Sequence, residues 1–240
     1  MKKVAILQSN YIPWKGYFDI IAAVDEFIIY DDVQFTTRDW RNRNKIKVNG
    51  QSQWLTIPVN QSRSDRICDV KVSFVDWNVK HWKTLQMSYG RAAAFRGTAD
   101  FVGELYRSPR STYLSEINAE FIRAICSFLG IETRITRSSD YRYGGARTEK
   151  LLTLCKAAGA NCYLSGPAAK SYLDESLFEQ ENIKVEWMDY SNYPEYPQMD
   201  GPFEHGVSIL DLIFNTGSSA GSFMKFVKPT ANIAKLTVQC

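Results

Sequence analysis

The chain has 240 residues, of which 45% are hydrophobic, and 29 basic residues against 26 acidic ones give it a net charge of +3. A chain of this length and composition buries enough apolar surface for a packed core, which excludes intrinsic disorder, collagen and coiled coil. The small net charge gives no indication of a nucleic-acid-binding protein.

The cysteines and the first residues bear on the cellular compartment. The five cysteines are odd in number and none stands in a CxxC spacing, so the sequence predicts neither a disulfide framework nor a zinc site. Residues 1–8 hold too few apolar side chains for a secretory signal peptide. No apolar run approaches the roughly 18 residues of a membrane span. We therefore expect a cytoplasmic protein without a membrane span.

The amino-terminal residues predict a strand, a helix and a second strand. Residues 3–8 and 27–30 are short apolar runs, and residues 14–24 carry apolar side chains at helical spacing. Strands joined through a helix run parallel and are covered on both faces. Residues 1–240 are thus predicted to form a single α/β domain, with helices flanking a mostly parallel sheet.

An antiparallel insertion is predicted over residues 36–76, followed by a mainly helical segment over residues 77–130. The Asn-Gly pair at positions 49–50 separates two strand-like runs, which is typical of a tight hairpin turn. Apolar and polar residues alternate over residues 70–74, as in a half-buried strand.

The rest of the chain returns to alternating strands and helices. The predictions are strands over residues 132–136, 161–165 and 183–188, helices over residues 148–158, 168–181 and 208–215, and a loop over residues 190–201.

Charge is unevenly distributed along the chain. Residues 36–71 contain eight Lys or Arg against three Asp, and residues 174–204 contain nine acids against one Lys, so their local charges are +5 and −8. Either the two segments face each other across a contact, or the basic segment holds an anionic ligand.

The joint between the first strand and the first helix is the first candidate site. Pro13 suits the first turn of a helix, and the free backbone amides of a helix start attract phosphate or carboxylate. The alternative is that the aromatic residues here only plug the end of the sheet. The ligand-binding candidates are Gln8, Asn10, Trp14, Lys15, Gly16 and Tyr17.

Two adjacent carboxylates and a basic stretch follow the second strand. The carboxylates either hold a divalent metal or a ribose or cap a turn, and the spacing does not decide between these. The basic stretch places Arg and Lys at alternating positions, which point one way in an extended segment and suit phosphate. The candidates are Asp31, Asp32, Gln34, Arg38, Trp40, Arg41, Arg43 and Lys45.

A second strand, glycine turn and helix is predicted over residues 163–174. Ser165, Gly166 and Lys170 are candidates for holding a second anionic group, with Tyr172 beside them. The alternative is that Lys170 is a solvated helix residue.

Histidine is scarce, because the chain contains only His81 and His205. His205 follows Glu204, which can orient it or raise its pKa, so His205 is the candidate general base. The alternative is that residues 203–215 are only a capped helix that docks by its apolar side. His81 is interpreted as a helix-surface or core residue. The site is completed by Ser208 as a third catalytic candidate and by Asp211 and Asn215 as ligand-binding candidates.

Four segments give the chain a resemblance to the WbqC-like family of bacterial proteins. They are QSNYIPWKGYF at residues 8–18, YDDVQF and RDWRNR within residues 30–43, YLSGP and YLD within residues 163–174, and FEHGVSILDLIFN at residues 203–215. The resemblance implies a cytoplasmic role in surface polysaccharide and O-antigen (lipopolysaccharide) assembly, on sugar nucleotides or carrier-linked intermediates.

The first forty or so residues also resemble the nucleotidyltransferase superfamily that includes pantothenate synthetase, which implies a nucleotidyltransferase or HUP-like fold. In that superfamily a His-x-Gly-His turn packs on ATP phosphates, and WKGY at residues 14–17 stands in its place. Aromatic residues replace both histidines, which counts against adenylyl transfer.

The function favoured by these observations is a transferase or amide-forming ligase that modifies an amino sugar in O-antigen biosynthesis. Its partners would be a nucleotide-linked sugar and an amino acid or other acyl donor, with ATP or a divalent cation as the cofactor candidates. The alternatives are a metal-dependent glycosyltransferase and a non-catalytic sugar-nucleotide-binding protein. Nucleic acid is not expected as a partner, and the sequence leaves open whether the chain forms oligomers.

Overall fold

A parallel sheet of five strands forms the centre of the computed structural model, which describes residues 1–62, 64–107 and 109–227. Each pair of neighbouring strands in it is parallel. This confirms the prediction of an α/β fold. The strands are β1 (Lys3–Leu7), β2 (Glu26–Ile29), β7 (Arg134–Arg137), β8 (Cys162–Ser165) and β9 (Lys184–Trp187).

The order of these strands across the sheet is β7, β2, β1, β8, β9. The chain therefore builds outward from β1 in one direction, through β2 to β7, and then crosses to the other side for β8 and β9. Parallel sheets bind ligands outside the carboxyl ends of the strands where the order reverses. In this chain that position lies between β1 and β8.

Helices cover both faces of the sheet. Ala5, Phe27 and Ile29 belong to one hydrophobic cluster, which includes residues of α1 and α4. Ile6 and Ile28, whose side chains alternate with these, belong to a second cluster with residues of α5 and α6. The helices are α1 (Lys15–Ala22), α2 (Trp77–Tyr89), α3 (Phe95–Arg107), α4 (Leu114–Phe128), α5 (Thr148–Ala157), α6 (Glu175–Gln180) and α7 (Ile209–Thr216).

Two small antiparallel pairs lie in the chain between β2 and β7. Asn49 and Gly50 have φ angles of 50° and 77°, which confirms the tight primed turn predicted between the first two of these strands. The pairs are β3 (Arg43–Val48) with β4 (Gln51–Thr56), and β5 (Val59–Asn60) with β6 (Lys71–Val72).

Two predicted elements differ from the structure. The helix predicted over residues 168–181 is interrupted, with a 3-10 helix at Pro167–Ser171 before α6. The side chain of Asp174 accepts a hydrogen bond from the backbone N–H of Ser176 and so begins a new helix. The strand predicted over residues 70–74 is limited to the two residues of β6, because the residue opposite Ser73 is Pro58, which accepts from the Ser73 backbone N–H but has no N–H to donate in return.

Within the described residues, no helix combines the length and apolar character needed to cross a bilayer. The thiols of Cys68, Cys126, Cys155 and Cys162 are free, and Cys240 lies outside the described residues.

Candidate functional site

A cavity of about 630 Å³ opens at the carboxyl ends of β1 and β8, where the strand order reverses. We call it the strand-end cavity. It is lined by Ile6, Leu7, Gln8, Tyr30, Arg147, Leu151, Tyr163, Ser165, Gly166, Ala168, Ala169 and Tyr172. Its volume lies in the range of small-molecule sites, and its lining combines aromatic rings with a few polar groups, as is typical of such sites.

The structure places three of the four candidates from the second glycine turn in this cavity. Ser165 ends β8 at its wall, Gly166 follows it there, and Tyr172, which is 67% exposed, also lines the cavity. The fourth candidate, Lys170, lies with its ammonium 5.5 Å from the ring centre of Trp187. The anion-binding role predicted for Lys170 would therefore require its side chain to move.

A second cavity, of about 350 Å³, lies beside the loop that joins β1 to α1. We call it the indole cavity, because two tryptophans contribute to its wall. It is lined by Asn10, Pro13, Trp14, Trp40, Asn44, His205 and Gly206. Three separate parts of the chain therefore meet here: the first loop, the basic stretch and the loop before α7.

Arg41 connects the two cavities. Its guanidinium donates one hydrogen bond to the Gln8 side-chain oxygen and another to the Asn10 side-chain oxygen. Gln8 lines the strand-end cavity and Asn10 lines the indole cavity. Residues two apart in the chain have Cα atoms at most ~7.6 Å apart, so this short stretch of the first loop contributes to the walls of both cavities.

The loop that separates the cavities is held in a strained conformation. Ile12 has a φ of 37°, which is an outlier for a β-branched residue. The side-chain amide of Asn44 donates to the carbonyls of Tyr11 (3.1 Å) and Ile12 (2.9 Å), and the backbone N–H of Ile209 donates to the carbonyl of Pro13 (2.9 Å). Strain of this kind costs about 1–3 kcal/mol and persists where surrounding contacts determine the geometry.

His205 is the titratable side chain in the wall of the indole cavity. Its Nδ1 atom is buried and has no hydrogen-bond partner among the described residues. Its ring packs against Phe203, with 4.6 Å between ring centres, and against Tyr193, with 6.4 Å. Burial, followed by repulsion from Lys15, lowers the pKa of His205 from its ordinary 6.5. The imidazole is therefore neutral near pH 7 and able to accept a proton.

Lys15 begins α1 but is only 2% exposed. Its ammonium donates a hydrogen bond of 2.8 Å to the carbonyl of Pro194 and lies about 5 Å from the ring centres of Tyr193 and Tyr196. Burial lowers the pKa of Lys15 to about 8. The cation that the sequence assigns to phosphate is thus held among aromatic rings, where it acts on the charge of His205.

The other side chains predicted around His205 have structural contacts. Glu204 accepts hydrogen bonds from Lys45 (3.2 Å) and Ser52 (3.3 Å). Ser208 caps α7 by accepting from the backbone N–H of Leu210. Two further candidates are buried nearby: the side-chain amide of Asn215 donates 2.7 Å to the carbonyl of Asp211. These contacts fix the loop that carries His205.

The two adjacent carboxylates after β2 point to different partners. Asp31 is buried and accepts hydrogen bonds from the backbone and hydroxyl of Ser9 and from Ser115. Burial raises the pKa of Asp31, and these hydrogen bonds oppose the shift. Asp32 accepts from the hydroxyls of Ser138 and Tyr143 and lies 3.5 Å from the ammonium of Lys150. In the part of the chain that the structure describes, no cluster of three or more His, Cys, Asp or Glu side chains could hold a metal.

The basic stretch forms an exposed surface beside the indole cavity. Trp40 and Trp54 are 40% and 44% exposed, with ring centres 5.0 Å apart. Arg43 and Lys45 both lie over the Trp54 ring, at 4.1 and 5.8 Å, so they share one side of the β3–β4 hairpin. Of the other two candidates here, Arg38 accepts a hydrogen bond from Arg43 through its carbonyl, and Gln34 pairs with Arg66 in an isolated bridge.

Gly16 and Tyr17 support the first loop from inside. The Tyr17 hydroxyl donates 2.9 Å to the carbonyl of Gln8. The indole of Trp14 folds over Gly16 so closely that a Cβ added to Gly16 would clash with Trp14 Cζ2. A glycine is therefore needed for Trp14 to stand in the wall of the indole cavity.

Replacing Gly16 by alanine is expected to lower the free energy of unfolding by about 1–3 kcal/mol, because the Trp14 ring must leave its position. Denaturant unfolding measures this change. Gly97→Ala is the matched control: Gly97 lies within α3, and no atom of the described residues lies within 4 Å of an added Cβ, so alanine should stabilise the helix by about 0.5–1 kcal/mol. Equal effects of the two variants would contradict the contact with Trp14.

Several residues of the cavity walls were not candidates from the sequence, among them Arg147, Tyr30 and Asn44. Arg147 precedes α5 with a φ of 50°, in a loop without periodic pattern, and enters the strand-end cavity. Tyr30 follows β2 and shares that wall. Asn44 lies between Arg43 and Lys45 in β3, and only these two charged neighbours were considered as ligand-binding residues from the sequence. The positive φ of Arg147 has no sequence signal, whereas the tyrosine at a strand end could have been noted.

Three comparisons relate the chain to known proteins. The model of the WbqC-like protein family matches residues 8–223. The uncharacterized protein Rv1507c of Mycobacterium tuberculosis is 48% identical over 230 residues, which is 95% of this chain and 100% of the relative. No solved structure matches the chain significantly.

Proposed function

The chain belongs to the WbqC-like protein family, and from that premise we propose that it forms an amide on the amino sugar of a nucleotide-linked sugar. The family is associated with O-antigen biosynthesis. The proposed enzyme is a transferase or ligase of surface polysaccharide assembly. Sugar nucleotides are cytoplasmic substrates, so the cytoplasm is the proposed location.

The position of the strand-end cavity is the observation that carries this proposal. It lies where the strand order reverses, which is the position at which α/β sheets bind nucleotides. Tyr30 and Tyr172 offer aromatic surface for a base and a ribose, and Arg147 offers a guanidinium for an anionic group. Its volume of about 630 Å³ is sufficient for a nucleoside.

The chemical step proposed for the second cavity is transfer of an acyl group to nitrogen. The amine nitrogen attacks the acyl carbon of an activated donor, a C–N bond forms, and the bond from the carbon to the donor's leaving group breaks. The proton released from nitrogen passes to His205, which is neutral because burial and Lys15 lower its pKa. ATP is a candidate for activating the donor.

The two alternatives receive less support from the geometry. A metal-dependent glycosyltransferase would use the two adjacent carboxylates to hold its metal. Asp31, however, accepts hydrogen bonds from Ser9 and Ser115, and Asp32 accepts one from Ser138. A non-catalytic binding protein would use the unpartnered Nδ1 of His205 only to accept a hydrogen bond from its ligand, and not to take a proton.

Incubation of the purified chain with UDP- or dTDP-amino sugars, an amino acid and ATP tests the activity. The expected result is a new mass equal to the sugar nucleotide plus the acyl group, together with release of phosphate or pyrophosphate. Unchanged masses with every amino sugar, and no phosphate or pyrophosphate release, would contradict the proposed reaction.

Replacing Arg147 by glutamine is expected to weaken binding of UDP or dTDP by about 10- to 100-fold, because one charge-assisted hydrogen bond is lost. Isothermal titration calorimetry measures this change. Arg142→Gln is the control, because Arg142 is an exposed arginine of the same loop that does not contribute to the cavity wall. Equal affinities of the two variants would argue against a nucleotide in the strand-end cavity.

A further inference from the structure

Resting on the proposed function, we propose that the indole cavity binds the sugar ring of the substrate as a single, uncharged pyranose, with its amine at His205. No comparison assigns a ligand to this cavity. The proposal follows from its size, the chemistry of its wall and its distance from the strand-end cavity.

The size of the indole cavity limits its occupant. Its volume of about 350 Å³ is near the lower end of the range for ligand sites and admits one ring-sized group. Trp14 and Trp40 supply flat aromatic surfaces, against which the C–H groups of a sugar ring can pack. Gly206 has no side chain and leaves that part of the wall open.

The polar groups of the wall suit hydroxyls and an amine. The oxygen of the Asn10 side chain is engaged by Arg41, so the two N–H donors of its amide are what it can offer a hydroxyl. The Nδ1 atom of His205 is buried without a partner among the described residues, and a buried polar atom in that state is costly. Because Nδ1 has almost no accessible surface, a ligand O–H or N–H would satisfy it once the imidazole ring turns to face the cavity.

The charges around the cavity favour a neutral ligand over a free amino acid. Among the described residues, those of its wall include no Asp, Glu, Lys or Arg, so neither the carboxylate nor the ammonium of an amino acid would be paired there. The ammonium of Lys15, which already repels a proton from His205, disfavours a protonated amine in the same way. A sugar amine would therefore be held in its reactive, neutral form.

The connection between the cavities matches the linkage in a sugar nucleotide. Gln8 and Asn10 belong to different cavities and are joined through Arg41. A nucleoside in one cavity and a sugar in the other would place the diphosphate between them, at the guanidinium that suits phosphate best. One substrate would then occupy both cavities.

Titration of tryptophan fluorescence with the methyl glycosides of 2-, 3- and 4-amino-deoxyhexoses tests the inference. At least one glycoside is expected to bind and to change the fluorescence of Trp14 and Trp40. The variant Trp40→Ala should weaken that binding by about 3- to 10-fold, while leaving the calorimetric affinity for UDP unchanged. The retained UDP affinity shows that the variant is folded.

Trp54→Ala is the matched control. Trp54 contacts Trp40 and is exposed to a similar extent, but it does not line the cavity. It should change glycoside binding by less than about twofold. An equal loss in both variants would place the sugar on the exposed surface and overturn the inference.

The remaining outcomes separate the inference from the proposed function. If UDP binds but no glycoside does, the inference is wrong and the nucleotide site stands. If a glycoside binds in a Trp40-dependent way but no nucleotide does, the inference stands and the proposed nucleotide site is wrong. A free amino acid whose binding depends on Trp40 would assign the cavity to the acyl donor and overturn the inference.

Discussion

Replacing His205 by asparagine is expected to lower kcat for amide formation by about 100- to 10,000-fold, which is the usual contribution of a general base. Asparagine keeps a polar side chain of similar length but cannot accept the proton from the amine. The affinity for UDP should be unchanged, because His205 lines the indole cavity and not the strand-end cavity. Steady-state kinetics and calorimetry on the same preparation measure both quantities.

The pH profile of kcat/KM provides a second test of His205 as the general base. Burial and repulsion by Lys15 lower the pKa of His205, while Glu195 opposes this shift. Since only the neutral imidazole accepts a proton, kcat/KM should fall as the pH decreases through a pKa below 6.5. Lys15→Met removes the repelling charge and should move this acid limb to higher pH. A limb that stays in place would contradict the coupling of Lys15 to His205.

Glu204→Gln is the matched control for the neighbouring position. The Glu204 carboxylate accepts hydrogen bonds from Lys45 and Ser52. The side chains of Glu204 and Lys45, which form an ion pair, are each about one-third exposed. Exposed pairs of this kind contribute little, so kcat should change by about twofold or less. If His205→Asn keeps full activity, the base is another group; if Glu204→Gln is as damaging as His205→Asn, the two residues act together, as the sequence suggested.

The sheet and one edge of the site were predictable because they depend on local patterns. Short apolar runs marked the parallel strands, and the carboxyl ends of such strands meet at one edge. Gln8 and Ser165 are 157 positions apart in the sequence, yet both were candidates, and both line the strand-end cavity. The local sequence and the general rule for parallel sheets were sufficient to predict that these two residues lie at the same edge of the sheet.

The environment of individual side chains was not predictable, because it depends on contacts between distant segments. Lys15 was predicted to bind an anion because it lies at a helix start, but its ammonium packs against the rings of Tyr193 and Tyr196. Glu204 read as the partner of His205, but the β3–β4 hairpin supplies its hydrogen bonds. The pattern of apolar and polar residues in either segment does not predict these contacts.

Replacing Asp211 by alanine is expected to lower the free energy of unfolding by about 3–5 kcal/mol. Asp211 has no exposed surface and accepts hydrogen bonds from Tyr89 (2.9 Å), Tyr196 (2.7 Å) and Gln198 (2.9 Å). Alanine would leave these three donors without their acceptor in the interior. Asp211→Asn keeps the size and one acceptor oxygen, so its cost should be smaller. Denaturant unfolding measures both, and the exposed Asp100→Ala on α3 should stay within about 0.5 kcal/mol of the parent protein.

The same carboxylate also determines where His205 stands. Gln198, which donates to Asp211, brackets Glu204 by donating 3.1 Å to its carbonyl and accepting 2.9 Å from its backbone N–H. The residue next to His205 is therefore tied to α7 through Gln198. Gln198→Ala should raise KM and lower kcat together at a stability cost below that of Asp211→Ala, because the buried Asp211 carboxylate keeps its other donors, Tyr89, Tyr196 and Asn215. If Gln198→Ala unfolds as easily as Asp211→Ala, or keeps full activity, the carboxylate only stabilises the fold and does not position His205.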